Sequence, residues 1–462
     1  MYHVVHSVLT SRAVFRMSVL VLLAGTCWPG DAFARQTTTA NPSLPQVVSC
    51  TSKMGERQVC AADTSAGVAL LRSTGSGSCL LGRTWGYDAA GIWVSDSCGG
   101  DFALGSGKEA GGGNEFVGTF EPYGQLRTHL AAYNDTAEVQ DNATRVGINF
   151  RTRGAVKLLA GTEWGVNLVQ SENQFNLSAN GPDDFGVVKT ETNPVFTARL
   201  GFVGIDFGPA GRVAIGKQTA VHYDVTSYTT DRFNVFGGQG TSTYVAGTDG
   251  GASGTGRADR VVNYRNTLFK ILEVGIQGQF RGTDKNGIGG SLQLTILPGV
   301  KIGGAFTRTN WPQATQDLVQ GLGGDGEYTA LGTRIDWRVL AVGFVYSHQI
   351  HGDMVQVPIG TANTPVAFNA DGSELYVRVG LGPIGLIGGA TYLKPDAGNP
   401  LLDPDFKTQY AIVGGEWMVA RTAKVYTESK IDMNGVTATG GDGDNVFTVG
   451  FRYDFSWRTS HQ

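Results

Sequence analysis

Four cysteines, Cys50, Cys60, Cys79 and Cys98, fall within one short segment, and the fifth, Cys27, lies near the start of the chain. Thiols clustered in this way either hold a metal or cross-link the chain. No C-x-x-C pair occurs, so the spacing is wrong for a zinc site. An even cluster in an exported chain reads instead as disulfides. Four cysteines allow three pairings, and proximity alone favours Cys50–Cys60 with Cys79–Cys98. Catalytic chemistry has little to build on. There are 7 histidines, but no G-x-S-x-G elbow for a nucleophilic serine and no H-E-x-x-H for a metal-activated water. No enzyme activity, metal or cofactor is therefore expected. The groups left to do chemistry are fixed charges, and these sit on segments of alternating polarity or in the loops between them.

The elements that must position those groups begin with an export signal. Arg12 and Arg16 precede a short apolar stretch, Met17 to Gly25, and Ala32-Phe33-Ala34 is an A-x-A cleavage site. The stretch is too short to span a bilayer as a helix. Cleavage after Ala34 removes Cys27 with the signal (residues 1–34), and takes the formal charge from −4 to −5. That balance gives no support for nucleic-acid binding. Residues 46–105 carry the four cysteines, and 106–116, with Gly111-Gly112-Gly113, reads as a flexible linker.

From 117 to 455 the texture changes to segments of about ten residues with period-two alternation. Arg145, Gly147, Asn149 and Arg151 share one face of a strand, and Val146, Ile148, Phe150 and Thr152 the other. Gln277, Gln279 and Arg281 oppose Ile276 and Phe280. Lys424, Tyr426, Glu428 and Lys430 oppose Val425, Thr427, Ser429 and Ile431, and Phe447 to Phe455 alternates in the same way. A soluble sandwich has this period too, but arginines and glutamines crowd the polar face, and the pattern persists without a second composition. About sixteen such segments predict an all-β chain, a transmembrane antiparallel barrel with a small disulfide-bonded N-terminal domain. Residues 456–462 form a tail.

The block from 199 to 266 carries a more specific signal. Arg199-Leu200-Gly201-Phe202-Val203-Gly204 leads to Gly216-Lys217, then Tyr223-Asp224, Asp231, Phe236-Gly237-Gly238, Arg257 and Tyr264-Arg265-Asn266. This succession resembles the general diffusion porins of Gram-negative outer membranes. The resemblance implies a water-filled channel for small hydrophilic solutes and ions, a homotrimer, and contact with outer-membrane lipid. It also implies a long loop after the fifth or sixth strand that folds inward, with acidic groups facing a wall of arginines. By motif position Arg145, Arg199 and Arg257 match the wall, and Asp224 and Asp231 the loop. The sequence departs from the pattern at Val235, where the family often has a second acidic residue before F-G-G. One carboxylate fewer implies a weaker cation preference.

The N-terminal unit resembles a small domain of unknown function in exported bacterial proteins. The marks are the run from Cys50 through Ser52 and Gly55 to Cys60, and Trp85-Gly86-Tyr87-Asp88 leading to Gly91-Ile92-Trp93-Val94. Trp85, Tyr87 and Trp93 are expected to form a small core beside the disulfides. Because barrels of this family begin in the periplasm, peptidoglycan is the expected partner of the unit. Competing readings are a solute-selective channel, for which an aromatic such as Tyr426 would supply a sugar track, and a closed barrel acting as a tether.

Overall fold

The computed structural model describes residues 46–104, 118–169, 173–175, 188–190, 195–243, 251–359 and 362–460, apart from Ala66, Asn134 and Ala397. The export signal and the linker at 106–116 lie outside the described residues. The chain divides into two compact units, Met1–Glu115 and Phe116–Gln462.

The first unit holds two three-stranded antiparallel sheets. In one, Gly99–Leu104 lies between Gln46–Thr51 and Val68–Ser73. In the other, Gly91–Ser95 lies between Arg57–Cys60 and Trp85–Asp88. Cys50–Cys60 bridges the two sheets, and Cys79–Cys98 ties the connecting loop to the start of the last strand. The proximity pairing is the one formed. With loop lengths of 10 and 19 residues, each bridge contributes about 3 kcal/mol by restricting the unfolded chain. So short a unit needs this help, since its apolar core is only a few residues deep. Trp85, Ile92, Val94 and Phe102 fill that core and Tyr87 packs against it. Trp93 stands apart, half-buried, with the Arg57 guanidinium 4.2 Å from its ring centre. The Ser49 hydroxyl and then Arg72 hold the half-buried Asp101 carboxyl below the usual carboxylate range.

The second unit is a closed antiparallel barrel of sixteen strands. In chain order these are β1 (Gly118–Tyr133), β2 (Thr136–Asp141 and, after a break, Arg145–Thr152), β3 (Lys157–Val166), β4 (Phe196–Asp206) and β5 (Arg212–Thr219). After a long connection come β6 (Arg257–Leu268), β7 (Leu272–Gln279), β8 (Gly287–Leu297), β9 (Val300–Thr309), β10 (Gly326–Trp337) and β11 (Leu340–Ile359). The last five are β12 (Ala362–Leu381), β13 (Ile384–Pro395), β14 (Thr408–Ala420), β15 (Ala423–Asp432) and β16 (Val446–Ser456). Each strand pairs with the next, and β16 pairs back onto β1 from Val446↔Tyr133 to Ser456↔Tyr123. Pairing continues past Phe455. Trp457 N–H donates to the Pro122 carbonyl, and Thr459–Ser460 lies beside Phe120 and Thr119.

The distribution of side chains is inverted relative to a soluble protein. Glu428, Glu374 and Gln277 are 0%, 1% and 2% exposed, whereas Ile276, Ile288 and Leu331 are 56%, 63% and 55% exposed. Polar groups predominate on the interior face and apolar groups on the outer face, as a barrel in hydrocarbon requires. The interior exceptions, such as Val345, Ile387 and Ile412, are buried in apolar clusters. Outward-facing aromatics gather at both ends of the strands. Phe207, Phe269, Trp337, Trp417 and Trp457 lie by the short turns, and Trp164, Phe196, Phe280, Tyr392 and Phe447 by the long loops. These are the girdles expected at the two lipid–water boundaries. An arginine placed at Leu331, mid-strand on the outer face, is expected to cost about 2–4 kcal/mol of folding stability in lipid. Arginine at lumen-facing Asn149 should be nearly neutral. Urea titration of the barrel refolded into vesicles reads the difference.

Candidate functional site

The connection between β5 and β6 (residues 220–256) does not project outward over its described residues, 220–243 and 251–256. Its described part is almost wholly buried, and it is tied to lumen-facing side chains along much of the wall. A short helical turn, Tyr223–Thr226, opens it. Val225 and Tyr228 pack there against Ala305, Ala330 and Val345 of β9, β10 and β11. The Tyr228 hydroxyl donates to Gln293 at 2.7 Å. Glycine on the wall lets the loop backbone approach. A Cβ at Gly343 would sit 1.9 Å from the Tyr228 carbonyl oxygen, and one at Gly372 2.4 Å from that of Gly240. Further along, Phe233 and Phe236 pack with Tyr376, Ile387, Tyr410 and Ile412.

Two buried carboxylates hold the tip. Glu428 on β15 accepts the backbone N–H groups of Asn234, Val235 and Phe236 at 2.7, 2.8 and 2.8 Å. Glu374 on β12 accepts the Gly238 N–H at 2.7 Å. Arg127 and Asn142 donate to the Asn234 carbonyl at 2.8 and 2.9 Å. Side-chain amides of Gln277 and Gln279 then bond the Gly254 and Gly251 carbonyls on the return. Buried N–H and C=O groups outside a ladder must find partners, and here the lumen wall supplies them. Val235 carries no charge and packs against the apolar cluster. Tyr426 is 2% exposed, its hydroxyl bonded to Asn142, so its ring is not at the lumen surface.

The wall that the loop leaves uncovered is basic. Arg145 on β2 donates to Gln125 through Nε at 2.8 Å, and Arg199 on β4 pairs with Glu163 at 2.8 Å. Arg145 lies within electrostatic reach of Arg199, Glu163, Asp231 and Arg452, and Arg127 within reach of Arg145, Arg452 and Asp231. Asp231 is the exposed loop carboxylate facing this group, and it accepts the Tyr223 hydroxyl. The fold thus brings Arg145, Arg199 and Asp231 together. Asp224 sits elsewhere, clamped by Arg265 at 2.9 and 3.1 Å with Ser291 at 3.4 Å. Arg257 is opposite Thr219 at the top of β6, beside Lys217. Arg127, Arg452 and Glu374 did not stand out in the sequence, and Arg265, the partner of Asp224, did so only within Tyr264-Arg265-Asn266. Glu428 did, but only as one polar position of an alternating strand.

Comparison with known proteins settles the family. A model described as Gram-negative porin matches residues 110–462. The chain belongs to that porin family. Outer membrane porin F of Xenorhabdus nematophila is 24% identical over 358 residues, which is 72% of this chain and 91% of the relative. Outer membrane porin protein OmpD of Salmonella typhimurium is likewise 24% identical, over 72% of this chain and 91% of its own length. Among solved structures, OmpF of Salmonella typhi in complex with daunomycin superposes with a TM-score of 0.59 at 18% identity. That superposition covers 74% of this chain and 99% of the other. An anion-selective porin from Comamonas acidovorans gives 0.53 at 14% identity, covering 73% and 100%. Both likenesses concern the fold. A model described only as a protein of unknown function matches residues 21–147.

The porin's loop attachment should depend on Glu428. Removing the carboxylate in Glu428→Ala leaves three buried N–H groups without their acceptor, at about 1–3 kcal/mol for each group left unpaired. Single-channel records should then show added current noise and sub-states, and the tip should become cleavable by protease near Asn234.

Proposed function

We propose that this outer-membrane porin is a passive, water-filled channel narrowed by the loop at 220–256. The observation that carries the reading is Asp231 set opposite the arginines of the uncovered wall. Opposed fixed charges across a narrow aqueous passage create a transverse field that orients water and dipolar solutes. Polar solutes keep favourable interactions in such a passage, while apolar ones give up less structured surroundings for strongly ordered water. Ions and small hydrophilic solutes are the expected cargo.

The balance of charge favours anions. Asp231 lies within electrostatic reach of Arg127 and Arg145, while Arg199 and Arg452 are offset by Glu163 and Asp454, so two guanidiniums remain against one exposed loop carboxylate. A zero-current potential under a salt gradient should have the sign of anion preference. Asp231→Asn should strengthen it, and Arg145→Gln or Arg199→Gln should move it toward cations. Identical potentials in all three variants and the parent would refute the constriction assignment. Arg257 and Asp224 are weaker candidates for that field, the one lying beside Lys217 and the other neutralised by Arg265. A homotrimer fits this reading and would open in steps of three; a solved relative by fold, OmpT of Vibrio cholerae, is described in a trimer form (TM-score 0.51).

Because β1 starts at the short-turn end, the N-terminal unit is assigned to the periplasm, with peptidoglycan as its partner. Trp93, half-buried between its contacts with Arg57 and Gly86, is the aromatic proposed to meet the sugar through its exposed part. Purified cell wall should retain the full-length protein through this unit and release it in Trp93→Ala; failure to sediment the parent protein would sink the assignment.

A further inference from the structure

A second charged site lies in the lumen on the short-turn side of the loop. It is a cleft of about 490 Å³ lined by Asp206, Arg212, Asp224, Arg265, Glu273 and Gln293 among others. Its chemistry follows from strand register. Arg212 on β5 is directly opposite Asp206 on β4 and Arg265 on β6, so two guanidiniums stand side by side on the inner face. Like charges placed directly across a ladder repel, and the arrangement persists only where carboxylates offset it.

The carboxylates available are already engaged. Asp206 pairs with Arg151, Asp224 with Arg265, and Glu273 with Lys301. Arg212 lies in the field of Asp206 and Asp224 but forms an ion pair with neither. Lys157, opposite Asp206 on β3, also has no ion pair among the described residues. The wall of this vestibule therefore carries two cations more than its carboxylates neutralise. Arg212 lines the cleft itself, which is large enough for a small solute, and Lys157 lies within electrostatic reach of Asp206 on its wall.

We infer that this cleft is a binding subsite for small dianions, a phosphate or dicarboxylate solute, held chiefly by Arg212. The guanidinium offers parallel N–H donors in the fork geometry that carboxylate and phosphate oxygens match. Lys157 adds a second positive charge at the rim. The site differs from the arginines opposite Asp231, since its cations Arg212 and Lys157 are carried by β5 and β3 near the short turns, whereas those arginines are on β1, β2, β4 and β16. It would concentrate divalent anions at one mouth of the channel, and so make their passage depend on the side from which they come. The inference rests on the channel reading only for how solute reaches the cleft.

The test uses the full-length protein folded in detergent and in planar bilayers. Titration with inorganic phosphate at pH 8, and separately with succinate, reads binding by calorimetry without requiring an open channel. Arg212→Gln is expected to weaken both by about tenfold, and Lys157→Gln by less. Neither change removes a carboxylate's partner, and the first relieves a like-charge contact, so both variants should fold. In bilayers held in potassium chloride, phosphate should reduce the current at lower concentration from the short-turn side than from the other. Arg212→Gln should abolish that difference while Arg145→Gln keeps it. Equal binding by the parent and Arg212→Gln, or current reduction identical from both sides, would overturn the subsite. Absence of any potassium chloride current, with phosphate binding intact and lost in Arg212→Gln, would overturn the channel reading and leave the subsite standing.

Discussion

Everything in the barrel follows from the need to pair each backbone N–H and C=O where no water is present. An unpaired group in hydrocarbon costs several kcal/mol, so a sheet in a bilayer has to close. Closure here is completed by β16 against β1 along eleven consecutive positions, and it is prolonged by Thr459–Ser460. Once the backbone is satisfied within the sheet, the side chains are free to follow the two solvents. Ile276, Ile288 and Leu331 face lipid, and Gln277, Glu374 and Glu428 face the lumen. The same period-two geometry that gives a soluble sheet one dry face gives this one a dry exterior.

A polar lumen then becomes the matrix in which an irregular segment can be held. A loop crossing hydrocarbon could not satisfy its own backbone, but one crossing this lumen meets carboxylates, amides and guanidiniums at fixed depths. Glu428 shows the economy of the arrangement, one side chain accepting three successive N–H groups. The apolar residues of the loop do different work. Val225, Tyr228, Phe233 and Phe236 give it dry contact with the wall on one side of the barrel. Its path is thereby fixed along that side, and the strands bearing Arg145 and Arg199 stay uncovered.

The fold was legible because alternation is a local property. The runs around Arg145, Gln277, Glu428 and Phe447 each announce their own inner and outer faces, and the structure keeps those faces. The disulfides were legible for a similar reason, since Cys50–Cys60 and Cys79–Cys98 are the pairs closest in sequence. The loop was recognisable through Phe236-Gly237-Gly238, but its path was not. That path depends on Glu374 and Glu428, which lie 136 and 194 residues from the groups they bind. In the sequence each is one more polar residue on an alternating strand. Trp93 shows the converse: its motif predicts a core residue, but Ile92 and Val94, its neighbours on the other face, fill the core instead.

The two loop aspartates show why counting charges misjudges a pore. Asp224 and Asp231 are seven residues apart and look equivalent in the sequence. The helical turn that begins at Tyr223 sends them to opposite sides of the loop. Asp224 closes onto Arg265 and offsets the repulsion between Arg265 and Arg212, which is a structural task. Asp231 stays exposed before the arginines of the other wall. One carboxylate is thus withdrawn from the passage, and with Val235 uncharged the negative side is reduced to a single group. The positive side keeps its guanidiniums because β1, β2, β4 and β16 project them inward regardless of the loop. The field across the passage is therefore set by where the backbone turns between 223 and 231, more than by how many acidic and basic residues the chain contains.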